Sequence, residues 1–233
     1  MYAPGGAADE VMTQYKNDRR GRLAVVEGLR GLAEHGLNRG TAGNVSVRTA
    51  GGMLITPTGL SPAELSPGHI VHMALDGSVD AEQLAPSSEW RIHADIYRGH
   101  PGVHAVVHCH SAYATILACA RRAIPAVHYM VAAAGAREIP LADYATFGTA
   151  ELSRAAVAVL ADSAACLLAN HGQIATAEHL PGALKLAALV EELAQCYWGT
   201  LAIGGPVILD AAQMDEVMAA FANYGQQPRH AGD

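Results

Sequence analysis

The sequence predicts a single α/β domain with helices packed around a sheet, on three observations. Segments with helically spaced apolar residues alternate with short apolar or alternating segments over 233 residues, the pattern that lays helices on the faces of a sheet. No internal repeat and no Pro- or Ser-rich linker divides the chain. The composition is 51% hydrophobic and 16% charged, enough at this length to bury a core without disulfides.

Residues 1–18, which begin MYAPGGAADE, are expected as a flexible tail, residues 19–225 as the domain and residues 226–233 as a second flexible tail. From Arg19 to His35 the apolar Leu23, Val26, Leu29 and Ala33 recur at helical spacing, and Gly36 supplies the stop. After the loop Gly40-Thr41-Ala42-Gly43, Asn44 to Arg48 alternate polar and apolar. Gly51-Gly52 then punctuates, and Met53 to Thr56 reads as the second strand of a hairpin. Ser87-Ser88 can cap a helix that runs through Tyr97 and stops at Gly99 and Pro101. That puts Glu89 in the first turn, where the helix dipole favours a carboxylate. Val103 to His110 reads as a strand, Thr149 to Ala161 as a helix and Ala164 to Ala169 as a buried strand. Pro181 opens a long apolar helix at its N1 position, and a last helix spans about Ala212 to Phe221.

Several classes are excluded. A net charge of −7 and a pI near 5.9 leave no basic stripe for nucleic acid. The N-terminus lacks the basic segment and apolar run of a signal peptide. The most apolar stretch, Pro181 to Gly205, carries Lys185, Glu191 and Glu192, which argues against a membrane span and for a buried helix. Cys109, Cys119, Cys166 and Cys196 form no CxxC pair or disulfide framework, which suits a reducing cytoplasm and assigns them to the core. The high alanine and apolar content predicts packing against other subunits.

In His108-Cys109-His110 the histidines are two residues apart on an expected strand, so both leave one face while Cys109 points away. His171, in Ala169-Asn170-His171-Gly172, lies just past a second apolar strand, where a turn can aim its imidazole at the pair. Three neutral imidazoles leave a coordination position open, as in catalytic rather than closed structural zinc. An HxH pair alone is a weak signal among 12 histidines. Hydrogen-bonded core histidines, no different from His93, His100, His104, His128 and His179, account for it as well.

The motifs the pair keeps company with are Gly40-Thr41-Ala42-Gly43-Asn44-Val45-Ser46, Thr56-Pro57-Thr58-Gly59, Pro86-Ser87-Ser88-Glu89-Trp90 and Ala169-Asn170-His171-Gly172. In that order, with His128-Tyr129-Met130 and Tyr144-Ala145-Thr146-Phe147-Gly148-Thr149, the chain resembles class II aldolases of the adducin-like family from about Arg20 to Gly225, and within it the bacterial L-fuculose-phosphate aldolase branch. The resemblance implies a three-layer α/β/α domain around a largely antiparallel central sheet. It implies a homotetramer with active sites between neighbouring subunits, and zinc, or else manganese or cobalt, on His108, His110 and His171. Glu89 becomes the catalytic carboxylate, Tyr129 a tyrosine that reaches the neighbouring subunit's site, and Tyr224 a tyrosine that helps position the aldehyde.

The implied reaction is retro-aldol cleavage of L-fuculose 1-phosphate, or a closely related ketose 1-phosphate, to dihydroxyacetone phosphate and L-lactaldehyde or a related aldehyde, through a zinc-stabilised enediolate. Lys16 and Lys185 are the only lysines, and neither lies in a motif suited to a Schiff base. Glu89 suits the proton on C3 and Tyr129 the C4 oxygen, although the two roles can be exchanged. The phosphate is expected among amides and hydroxyls of Thr41, Gly43, Asn44, Thr58, Gly59, Ser87 and Ser88, because glycine turns let amides converge on an anion. Three alternatives stand beside this. A pentulose-phosphate 4-epimerase usually carries Asp where this chain has Glu89. An adducin-like interaction module has lost the metal ligands. A closed structural zinc site needs a fourth ligand, and Cys109 faces the wrong way.

Overall fold

The structure, a computed structural model, describes residues 6–221, with residues 6–17 as backbone only; Tyr224 and the expected tail 226–233 lie outside the described residues. Helix α1 (Gly6–Glu34) starts well before the expected Arg19. Ala7, Ala8, Glu10, Met12, Gln14 and Lys16 are strong helix formers, and propensity extends a helix where no apolar stripe marks it. It ends as expected. Gly36 takes φ +70°, and the Leu37 N–H donates to the Leu32 carbonyl at 2.8 Å, closing a Schellman turn over buried Leu37.

β1 (Asn44–Thr49) and β2 (Gly52–Ile55) form the expected hairpin, and β3 (Val71–Met73) adds to its outer edge. Helix α2 (Trp90–Gly99) leads to β4 (Ala105–Cys109) and α3 (Ala112–Cys119). After a 3-10 helix, Tyr129–Ala134, come β5 (Leu141–Ala142), α4 (Ala150–Val159), β6 (Ala165–Leu168), β7 (Gly172–Ala177), α5 (Leu180–Ala202) and α6 (Ala211–Phe221). The seven strands make one sheet in the order β3-β2-β1-β4-β7-β6-β5, antiparallel throughout except for β5 beside β6.

Alternation along the strands builds two cores. Ala105, Val107 and Cys109 of β4 face α1, α3 and α5, while Val106 faces α2 and α4. The result is the three-layer α/β/α arrangement. Each fully buried Leu, Ile or Val in these layers contributes about 1.5–3 kcal/mol.

Pro181 occupies the second position of α5, whose N-cap is His179. Glu191 on α5 is no flaw in an apolar helix: its two carboxylate oxygens each accept, at 2.9 Å, from the Tyr113 and Ala114 amides at the start of α3. Cys109 and Cys166 are buried, but Cys119 and Cys196 are exposed, on the outer faces of α3 and α5, so only half of the cysteines belong to the core. Among the described residues no helix is long and apolar enough to cross a membrane.

Candidate metal centre

Strand register gathers the site. Asn44 pairs opposite His108 across β1 and β4, and Leu168 pairs opposite Gly172 across β6 and β7. The end of β4, the start of β1 and the β6–β7 turn therefore meet at one end of the sheet. His108 lies on the central strand, His110 one residue beyond it, and His171 in the three-residue turn after Leu168. Asn170 holds that turn at φ +55°, a left-handed conformation that Asn tolerates better than most residues. Its amide N–H donates to Ala118 O at 3.0 Å and its side chain accepts from Arg121 Nε at 3.1 Å, so α3 clamps the turn.

The three imidazoles form a near-equilateral propeller, with ring centroids 4.9, 4.8 and 4.8 Å apart and planes inclined by 76, 73 and 75°. Their candidate donor atoms lie within 4.8 Å of one another, and His108 Nε2 is 3.0 Å from His110 Nε2. A tetrahedral ion with bonds of about 2.0–2.1 Å sets its nitrogens about 3.3 Å apart, so the ligands fit a divalent cation. His108 Nδ1 donates to the Gln173 carbonyl at 2.9 Å, which turns Nε2 toward the other two rings. Burial, with the charge of His108 behind it, pulls His110 and His171 down to about 4, and neutral imidazoles are what a cation needs. In His108 burial is overcome by the adjoining Glu89 carboxylate, and its pKa rises.

Gly172 backs this cluster at close range. A Cβ there would sit 2.6 Å from Cys109 O and 2.8 Å from His110 Cδ2. Gly172→Ala is expected to cost about 1–3 kcal/mol of stability and to weaken metal retention. Urea unfolding and metal content after dialysis check both, and a variant unchanged in each would contradict the close packing.

Glu89 is the N-cap of α2 itself rather than a first-turn residue, and its side chain makes no capping bond. The carboxylate turns to the histidines instead, with Oε2 3.2 Å from His108 Nε2 and Oε1 3.3 Å from His171 Nε2. Oε2 also accepts from Asn44 Nδ2 at 3.0 Å, while the buried Oε1 has no hydrogen-bond partner. Burial pushes the carboxyl up, but the charge and hydrogen bond of His108, then the charge of His171 and the Asn44 bond, hold it well below the usual carboxylate range.

The expected phosphate segments run side by side. The Val45 N–H donates to Thr56 Oγ1 at 3.2 Å, Ser87 N–H to Thr56 O at 3.0 Å and Thr58 N–H to Ala85 O at 3.1 Å. Thr41, Thr58, Gly59 and Ser88 are exposed along this seam, whereas Gly43, Asn44 and Ser87 are buried. The Asn44 side chain is taken up by Glu89 and His93 instead of facing the seam. Gly148 comes against the Ser88 carbonyl, which brings the Tyr144–Gly148 loop, with exposed Tyr144 and Phe147, next to it. Tyr129 is 49% exposed and stacks on His128 with centroids 4.6 Å apart, and among the described residues no hydrogen bond or ring contact joins it to the triad.

Sequence reasoning passed over three residues. His93 Nε2 lies 2.6 Å from Asn44 Oδ1, His93 Nδ1 lies 2.7 Å from Ser46 Oγ, and Ser46 Oγ lies 2.7 Å from the Tyr97 hydroxyl. The signal was present as polar residues at i, i+4 and i+8 on one face of α2, Glu89, His93 and Tyr97, opposite i and i+2 on β1, Asn44 and Ser46. Burial pulls His93 down to about 3 from an ordinary 6.5. The unfolded chain then binds the extra proton through that window, so stability attributable to neutral His93 is present above about pH 6.5 and falls on acidification toward pH 3, by up to about 1.4 kcal/mol per pH unit. In metal-free protein the unfolding free energy of wild type minus that of His93→Gln should shrink from pH 6.5 to 4.5 in urea titrations. A gap independent of pH would mean that His93 is not this group.

Over residues 24–198 the chain matches the family described as Class II Aldolase and Adducin N-terminal domain. It is 51% identical over 204 residues to a 5-methylthioribulose-1-phosphate/5-deoxyribulose-1-phosphate aldolase of Rhodospirillum rubrum, covering 88% of this chain and 92% of that protein. It is 46% identical over 209 residues to an L-fuculose phosphate aldolase of Escherichia coli strain K12, covering 88% and 97%. A solved L-fuculose 1-phosphate aldolase superposes with a TM-score of 0.84 at 36% identity, over 87% of this chain and 96% of the other.

Proposed function

The chain belongs to the Class II Aldolase and Adducin N-terminal domain family, and from that premise we propose that it is a divalent-metal aldolase that splits a ketose 1-phosphate into dihydroxyacetone phosphate and an aldehyde. The observation that carries this is the Glu89 carboxylate, buried and ionised, 3.2 and 3.3 Å from two imidazoles of a three-histidine cluster. His108, His110 and His171 would hold the ion, and an all-imidazole set suits zinc, with manganese or cobalt as substitutes. When bound, the metal supplies a Lewis acid that draws electron density from the C2 carbonyl.

The chain's own groups do the rest. Glu89, ionised at the outset, takes up the proton that leaves the C4 hydroxyl, relayed through the tyrosine at the C4 oxygen, and delivers it to C3 once the C3–C4 bond has broken; its Oε1, with no hydrogen-bond partner among the described residues, is the atom available for this. The half-exposed Tyr129 serves the C4 oxygen of a neighbouring subunit's substrate within a homotetramer, and Tyr224 helps place the aldehyde. Thr41, Gly43, Thr58, Gly59, Ser87 and Ser88 form the phosphate seam, where amides and hydroxyls substitute for basic side chains, while the Asn44 side chain is committed to Glu89 and His93. Four free cysteines fit a cytoplasmic protein.

L-Fuculose 1-phosphate is the first substrate to test. A second reading, 5-deoxyribulose 1-phosphate or its 5-methylthio analogue, is favoured by the 51% identity to the Rhodospirillum rubrum aldolase. Both readings end the aldehyde half in a small apolar group. Glu89 speaks against the epimerase branch, and retention of the whole triad against a non-catalytic module. The test is release of dihydroxyacetone phosphate from each ketose phosphate in an NADH-coupled assay, before chelation, after it, and after zinc is restored. Chelator-sensitive release identifies the aldolase and ranks its substrates. No release from any of them by zinc-loaded protein would overturn the proposal.

A further inference from the structure

We propose that His93, which reaches Glu89 only through the Asn44 amide, is a positioning residue that fixes the direction of a buried hydrogen-bond chain ending on the Glu89 carboxylate. The inference rests on Glu89 as the acid/base group of the proposed aldolase.

The direction of the chain follows from its two ends. An ionised carboxylate only accepts, so the Asn44 group 3.0 Å from Glu89 Oε2 is its Nδ2. Asn44 Oδ1 therefore faces His93, 2.6 Å away, and the only donor available is an Nε2–H. A buried histidine held neutral leaves Nδ1 bare, so Ser46 donates to it at 2.7 Å, and the Tyr97 hydroxyl donates to Ser46 Oγ at 2.7 Å. Tyr97, Ser46, His93 and Asn44 each donate toward Glu89, and such aligned links polarise one another in favour of the terminal negative charge. The opposite imidazole tautomer would set the bare Nε2 against Asn44 Oδ1, turn the amide over, and point an oxygen at the carboxylate.

The spacing makes the chain possible. Four residues of helix advance about 6 Å, and two residues of strand about 6.6 Å. Glu89, His93 and Tyr97 on the α2 side therefore interleave with Asn44 and Ser46 on β1 without a break, and all five are buried. The arrangement is well supplied with donors and has no catalytic partner except Glu89, so its expected effect is on turnover more than on substrate binding.

The experiment is a double-mutant cycle on zinc-loaded enzyme with the ketose phosphate that wild type cleaves best. His93→Phe should lower kcat about 10–100-fold, with KM and zinc content unchanged, and His93→Gln should recover most of the loss. In an Asn44→Ala background the same His93→Phe change should cost less than about threefold, because its route to Glu89 is already cut. An equal loss in both backgrounds, or a rise in KM alone, would overturn the proposal. Histidine-labelled nitrogen NMR on wild type, free of any activity readout, should find His93 as the neutral Nε2–H tautomer from pH 5 to 8. An Nδ1–H tautomer or a cation at neutral pH would overturn it whether or not the His93→Phe variant folds. Wild type that shows the Nε2–H tautomer but cleaves no ketose phosphate would leave the chain's direction standing and remove its catalytic role along with the aldolase reading.

Discussion

Glu89→Gln is expected to lower kcat by about 10²–10⁴-fold, the range for a lost general acid/base group, while the protein keeps its metal. The substitution is nearly isosteric. Asn44 Nδ2 can still donate to the amide oxygen, and no imidazole is removed from the triad. What disappears is the charge that lies 3.2 Å from His108 and 3.3 Å from His171 and the capacity to carry a proton. Steady-state kinetics with metal analysis of the same sample makes the check. Loss of zinc together with activity would mean that Glu89 is chiefly a metal-site carboxylate, and full turnover would remove it from the mechanism.

His110→Ala is expected to abolish both metal retention and cleavage. Two imidazoles would remain, and a tight three-nitrogen site becomes a weak chelate. The chain should still fold, since His110 lies just beyond β4, only partly buried and outside both cores. The distinguishing measurement is melting temperature with and without excess zinc. A ligand that binds only the folded state raises stability with its concentration, so wild type should shift upward and His110→Ala should not. An equal shift in both would place the ion elsewhere.

Much of the fold was legible because period and punctuation agreed. The β1–β2 hairpin, α2, β4, α4, β6 and α6 fell close to their expected bounds, and Gly36 ended α1 by the anticipated turn. Three strands and one α-helix were missed for identifiable reasons. β3 and β5 are three and two residues long, too short for a period to register. β7, GQIATA, is buried along most of its length with Gln173 and Thr176 inside, so it neither alternates nor reads as apolar. Helix α3, AYATILAC, lacks a polar face to contrast with its buried Ala114, Leu117 and Ala118. At the site, HxH, His171 and Glu89 could be read from spacing and motif, because chemistry restricts the residue types that serve there. Asn44 was read as part of the phosphate seam because its loop carries glycines. Only the pairing of β1 with β4 reveals that its amide sits between Glu89 and His93.

The interleaving of α2 with β1 carries a consequence for how such a chain can diverge. Side chains along these two segments can be exchanged one at a time, with graded effects. Segment length cannot: one residue inserted between Glu89 and His93 turns the rest of the helix by about 100°, and one inserted between Asn44 and Ser46 flips the next side chain to the opposite face. Descendants of this sequence are therefore expected to vary there at positions other than Asn44, Ser46, Glu89, His93 and Tyr97 while gaps fall elsewhere, and an insertion library should lose every functional clone in these two windows before it loses folded ones.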